Sequence, residues 1–539
     1  MKAFTEPLLS LAGFEEMTKT AEKSSGLISV TGCIDAQKSQ MIYAFGGHRK
    51  NKLIVTFGEQ KAKELYDEYS FFDKEVVYYP SKDVLFYQSD IRGNLLTAER
   101  IRALKAIREQ ERVTLVTTFD ALMNTMAPIE KMWENVLTLE QGQLLDLKEI
   151  QAALIRMGYE KEYQVQTMGQ FSVRGGILDV FPLTEENPIR IELWGDEIDT
   201  IRYFDCESQK SIENTDRVSI YPAAEIVLSD EEKAGGIEKL KAEAKRVSDK
   251  LRKQMKTEEA HRVTVMADEL TEEWGELSMY AGMDAFLSYF FDERVGLLDY
   301  FNPSDSLIFF DELTRCAEQG KLTETEFSES MKQRLAMGYI LPGQMNGLFT
   351  EKEIVAKLEK YSCIALGALD NKANGLHQLG SYGIHCQSVS PYNNSFELLI
   401  KDLKRYKKNG YRVILLSGSR TRAKRLSEDI TDQGITCFYT ENYDHELFEG
   451  QIMVCYGKVR RGFEYPILKF AVITESDIFG AQQKKKKRHR TYEGEKIQSF
   501  TDLSVGDYVV HENHGLGIYR GIEKLEVDKK VKDYIKIEY

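Results

Sequence analysis

The amino-acid sequence predicts an α/β multidomain protein. Three features carry that reading. The chain has 539 residues, long enough for several cores. Short β-branched and aromatic strands alternate with helical stretches in its first and later parts. Between about residues 160 and 225 the texture changes to short paired strands with glycine turns.

The first unit, residues 1–140, opens on an apolar run, Leu27, Ile28 and Val30, which feeds the loop VTGCIDAQKS (30–39). In a phosphate-binding loop, G-x-x-x-x-G-K-[ST], backbone amides close around the phosphates, the lysine reaches the β and γ oxygens, and the hydroxyl holds Mg²⁺. Gly32, Lys38 and Ser39 stand at the required offsets, but Gln37 replaces the second glycine. A glutamine brings a Cβ and a long polar side chain to a place where backbone must approach the ligand closely, often at positive φ. The loop is therefore expected to keep its shape without its chemistry. KLIVTF (52–57), EVVYYP (75–80) and VTLVTTF (113–119) read as strands and LTAERIRALKAIREQ (96–110) as a helix, so the unit is expected to be a degenerate RecA-like domain with a parallel sheet. LIFFDE (307–312) has the apolar-then-acidic form of a strand that holds Mg²⁺ through an aspartate. A buried strand ending in a charged turn is the commoner origin of so short a pattern.

Residues 141–225 read as a β-rich insertion. YQVQTMGQFSVRGGILDVFP (163–182), PIRIELWGDEIDTIRYFD (188–205) and SIENTDRVSIYP (211–222) supply strands, with Gly175-Gly176 and Gly195-Asp196 as turns. Arg190, Glu192 and Trp194 alternate with Ile189, Ile191 and Leu193, one set for each face. Residues 226–390 return to α/β character as a continuation of the first domain and open on 229–262, which reads as one charged amphipathic helix. Residues 395–480 make a further α/β domain, with strands at 411–418, 435–440, 451–457 and 469–477 and a helix over 419–434 that ends at glycine. The run KKKKRHR (484–490) lies in 481–498 without apolar periodicity and reads as a solvated basic linker rather than a DNA-binding finger. Glycine turns between short apolar strands from 499 to 539 suggest the start of a small β-barrel. His511 and His514 have no third ligand nearby and read as turn residues, not a metal site. DYIKIEY (533–539) still alternates where the sequence stops. A barrel cut in mid-strand keeps an unpaired edge, so the chain is expected to be truncated.

A net charge of −14 and a pI near 5.4 exclude a general polyanion binder. Seven cysteines are scattered singly without a CxxC pair, which points to neither a zinc site nor a disulfide framework and fits a reducing compartment. No window approaches the roughly 18–20 apolar residues of a membrane span, and the N-terminus lacks a signal-peptide layout. A cytoplasmic protein without membrane contacts is expected. No catalytic residue set, metal site or cofactor site is expected in these residues.

The strands GQFSVRGGILDVFP, PIRIELWGDEIDTIRYFD and SQKS resemble the second domain shared by the excinuclease component UvrB and the bacterial transcription-repair coupling factor. VGDYVVHENHGLGIYRGI resembles the start of the RNA-polymerase-interacting domain of the coupling factor alone, and the order of parts matches that family over essentially the whole chain. The resemblance implies transcription-coupled DNA repair: displacement of RNA polymerase stalled at lesions and recruitment of nucleotide-excision repair through the excinuclease component UvrA. It also implies an ATP- and Mg²⁺-dependent DNA translocase, C-terminal to the barrel and absent from these residues, through which most DNA contact is made. By motif, the UvrA contacts fall on Arg174 in VRGG, Arg190 in IRIELW and Trp194, where the family often has phenylalanine. Arg190 and Trp194 share a parity, so both can face one side, and an Arg190→Glu reversal is expected to abolish the contact without disturbing the fold. Alternatively, Arg190 is a solvated strand residue and Trp194 packs into the insertion's own core. The barrel is implied to add a strand edge to the RNA polymerase β subunit, with Leu525 in EKLEV at the contact; barrel core is the competing role. Two other classes are a UvrB-like DNA-loading component of the excinuclease, which needs an intact loop that Gln37 denies it, and a motor-less adaptor, which a longer reading frame with an intact loop would exclude.

Overall fold

The computed structural model describes residues 1–46, 49–82, 94–276, 282–369, 375–480, 506–511, 515–527 and 530–538. The basic run 484–490, the linker 481–498 and His514 lie outside the described residues.

Seven parallel strands form the first sheet, in the order Gln378–Gly383, Gly26–Thr31, Ser362–Leu366, Ser306–Asp311, Asn51–Thr56, Val113–Thr118, Val77–Tyr79. The strands SLIFFD, SCIAL and VTLVTT are buried at every residue, as parallel strands covered on both faces require. Three of the seven strands thus come from beyond residue 300, and the insertion is an excursion from this sheet.

Inside the insertion, a six-stranded sheet runs in the order Ser211–Thr215, Glu197–Phe204, Ile189–Trp194, Ile177–Val180, Gln170–Arg174, Glu160–Lys161. All its pairs are antiparallel except the last. The helix Leu147–Arg156, capped by the Asp146 carboxylate, packs Ile150 and Leu154 against Phe171, Leu178, Ile189, Ile191 and Ile201. One face is therefore core and the other solvated, which is the origin of the alternation along Ile189–Trp194. Arg217–Ile220 pairs back onto Leu137–Glu140 and closes the insertion.

The reading of 229–262 as one helix is corrected. Two helices, Asp230–Lys253 and Thr257–Glu276, meet at Met255, whose φ of 62° breaks the first. Leu240, Ala244 and Leu251 share a core with Ala260, Val263, Ala267 and Trp274, and Ser248 donates to the Ala260 carbonyl at 3.1 Å. Burying both apolar stripes against each other favours the reversal over a single exposed rod.

A second mixed sheet has the order Gln387–Ser388, Phe463–Tyr465, Phe470–Thr474, Arg412–Ser417, Ile452–Tyr456, Phe438–Tyr439. Leu416, Met453, Phe463 and Tyr465 share one apolar cluster with Phe4, Phe71 and Phe72 of the N-terminal unit, so the two α/β parts are packed together. Tyr508–His511, Gly515–Val527 and Lys530–Glu538 form a three-stranded antiparallel sheet, with Leu525 in register with Lys532 and His511 with Gly515 at a strand end. No described helix is long and apolar enough to cross a membrane.

Candidate functional site

The loop after Gly26–Thr31 is short because the helix Asp35–Phe45 begins before Gln37. Gln37 accordingly sits in the first helical turn and not at positive φ, which corrects the sequence expectation; Gly32 takes that conformation, with φ of 76°. A Cβ on Gly32 would stand 2.1 Å from the Ile384 carbonyl oxygen. The Gly32 and Cys33 amides donate to the Ala368 and Gly367 carbonyls at 3.2 and 3.0 Å. Two of the loop amides are thus already engaged by protein. The Gln37 amide and Ser39 hydroxyl are buried without hydrogen-bond partners.

Lys38 fills the space where charge chemistry would occur. Its Nζ donates to Asp311 Oδ1 at 2.5 Å, Glu312 Oε1 at 2.9 Å and Asp35 Oδ1 at 3.1 Å. Asp311 Oδ2 accepts from Thr56 Oγ1 at 3.0 Å, and Glu312 Oε1 from the Ala368 amide at 3.2 Å. Lys38 and Asp311 are each only 1% exposed. Burial alone pulls the ammonium down, but Asp311 and Glu312 outweigh it and leave Lys38 raised above the ordinary lysine range. Oxygens of Asp35, Asp311 and Glu312 all lie within 4.8 Å of one another, a spacing suited to a cation, and the cation they hold is the chain's own. Of the two readings of 307–312, the structure matches the buried strand ending in a charged turn. Asp311 ends a buried strand and is also the partner of the loop lysine.

On the insertion's outer face, Arg174 and Arg190 converge on Asp179. Arg190 Nε and Nη2 donate to its two oxygens at 2.7 and 2.8 Å, and Arg174 Nη2 joins at 2.8 Å. Arg190 also donates to Gln209 at 2.8 Å and stacks over Phe204, 4.3 Å from the ring centre. Its side chain is 13% exposed and Asp179 is 1% exposed. Arg190 is therefore not a solvated strand residue, and the expectation that reversing its charge spares the fold is corrected: a glutamate there would face a buried carboxylate. Trp194 is 84% exposed, which removes it from the insertion's core. Asp179, Phe204 and Gln209 were missed in the sequence. The available signal was an acid between Leu178 and Val180, on the parity of a strand whose other face is apolar.

Residues 137–226 match the UvrB interaction domain, and residues 503–539 match the CarD-like/TRCF RID domain. Over 90% of its length the chain is 30% identical to the transcription-repair-coupling factor of Bacillus subtilis (strain 168), of which it covers 41%. The chain is a homologue of the transcription-repair-coupling factors. The Staphylococcus haemolyticus factor is 29% identical over 95% of the chain and the Staphylococcus aureus (strain USA300) factor 28% over 98%. The chain spans less than half the length of these coupling factors, 41–44%. In this coupling-factor homologue the Arg174–Asp179–Arg190 cluster and Trp194 fall within the UvrB interaction domain, Leu525 within the RID domain, and the Lys38 cluster outside both.

Proposed function

We propose that this chain is the recruiting part of a transcription-repair coupling factor. The insertion docks the excinuclease component UvrA, the three C-terminal strands begin a barrel that engages the RNA polymerase β subunit, and the first sheet is a RecA-like scaffold that neither binds nor hydrolyses nucleotide. The observation that carries this reading is the match of two separate partner-binding domains within one chain that follows coupling factors over nine-tenths or more of its length. The closed loop and the Lys38 cluster support the scaffold role, since an ammonium held by three carboxylates has none of its charge left for a phosphate. ATP and Mg²⁺ belong to a motor outside these residues, and DNA is contacted mainly through it.

The test is binding of purified UvrA and of the polymerase β subunit to the chain, wild type beside Trp194→Ala and Leu525→Arg. Each variant should weaken its own partner and leave the other unchanged. A wild-type chain that captures neither partner refutes the proposal.

A further inference from the structure

The hairpin tip that carries Trp194 borders an open groove of about 720 Å³, walled by Glu140, Trp194, Glu197, Asp199, Asp216 and Arg217. Local geometry makes it. Gly195, at φ of 67°, and Asp196 close a tight turn that sets Trp194 opposite Glu197, and Glu197 is bridged on its other side to Leu144. Paired residues of antiparallel strands share a face, so Leu144, Glu197 and Trp194 stand side by side. Leu144 is 75% exposed and Trp194 84%. Two large apolar side chains exposed on either side of Glu197, one of them at the groove, are more than ordinary surface leaves open and mark a contact site.

The charge around them is one-sided. Four carboxylates meet one guanidinium, that of Arg217, which pairs with Glu140 at 3.3 Å. Among the described residues, the carboxylates of Glu197, Asp199 and Asp216 have no ion pair and no hydrogen-bond partner. The other end of the same sheet face differs, because Arg174 and Arg190 are already closed on Asp179. A nucleic-acid backbone would be repelled by such a groove. A divalent ion is poorly suited as well, since the described carboxylates converge as a cation-sized group only at Asp35, Asp311 and Glu312. An arginine side chain meets every feature: its planar guanidinium stacks on an indole, and its fork of N–H donors reaches flanking carboxylates.

We propose that this groove receives an arginine side chain displayed by the protein that docks on the insertion. The inference rests on the reading of the insertion as the docking module for UvrA and adds the chemistry of the contact. Arginine and tryptophan are both among the residues that dominate interface energetics, and such residues tend to pair across an interface.

The experiment measures affinity of UvrA for the full chain at low and high salt, with thermal melts as fold controls. Trp194→Ala, Trp194→Phe and the triple change Glu197→Gln, Asp199→Asn, Asp216→Asn are compared with wild type. The triple variant should lose at least about tenfold in affinity at low salt and show a flatter salt dependence. Trp194→Ala should lose a comparable factor and Trp194→Phe much less, because phenylalanine keeps a ring for the cation. Wild-type binding that the triple variant retains in full, with the same salt dependence, overturns the groove and leaves the docking reading standing. Absence of wild-type binding overturns both.

Discussion

Replacing Lys38 by methionine should loosen the first sheet at its centre. Methionine keeps most of the side chain's volume and removes the charge, so the packing loss is small and the electrostatic loss dominates. Asp311, 1% exposed, would keep only the Thr56 hydroxyl at 3.0 Å, with Glu312 close by and with Asp35 offset only by Lys61, 2.9 Å from its other oxygen. Removing one partner of a buried pair costs about 3–5 kcal/mol, and salt offers little relief because solvent is excluded. The chain is not expected to unfold in one step. The suitable assay is therefore hydrogen exchange of Gly26–Thr31 and Ser306–Asp311, whose protection should fall by roughly 100-fold or more if local opening follows the lost free energy. Two further arms isolate the cause. Adding Asp311→Asn to Lys38→Met should recover part of the loss, a coupling of about 1–3 kcal/mol. Because three carboxylate oxygens then face one another within 4.8 Å, millimolar Mn²⁺ or Ca²⁺ should protect Lys38→Met and leave wild type unaffected, by up to about 2.7 kcal/mol at a hundredfold excess over Kd. Exchange in Lys38→Met within about threefold of wild type would refute the clamp.

Gly32→Ala should cost roughly 2–5 kcal/mol, since its Cβ meets the Ile384 carbonyl at 2.1 Å and φ is 76°; urea unfolding checks it. Arg190→Glu should lower the insertion's melting transition by placing a second carboxylate at buried Asp179 and losing the Phe204 stack, whereas exposed Trp194→Ala should change stability by no more than about 0.5 kcal/mol; differential scanning calorimetry separates the two. Glu68 is held up at about 7 by burial, against partial relief from the Arg460 amide, Lys61 and Arg460 itself. Unfolded chain ionises near the ordinary 4.5 while folded chain keeps the proton longer, so this group's stability contribution is complete below pH 4.5, falls as pH rises to about 7, and is lost above. Glu68→Gln should therefore stabilise the chain at pH of about 8 by about 1–3 kcal/mol and flatten that slope in urea titrations across the range. Isothermal titration with Mg²⁺-ATP should show no saturable binding, and a tight affinity lost on Lys38→Ala would overturn the scaffold role.

Sequence alone determined what is local. Continuous apolar and β-branched runs such as LIFFD and VTLVTT declare buried strands, the alternation along Ile189–Trp194 declares a sheet with one wet face, and Gly195-Asp196 declares its turn. Each follows from dihedral preference and burial within a window of a few residues. Tertiary structure decided the chemistry. Lys38 and Asp311 are 273 residues apart and meet because Gly26–Thr31, the strand that leads into the Lys38 helix, lies one strand away from Ser306–Asp311 in the same sheet. The Gly32 and Cys33 amides are closed by Ala368 and Gly367, two small residues with no motif of their own. Arg190 is withdrawn from solvent by an aspartate on the neighbouring strand, and the helix of 229–262 turns back at Met255 because its apolar stripe finds a partner beyond the break. A charged side chain's role depends on which counter-charge folding brings to it, and strand order, which no local periodicity encodes, makes that choice.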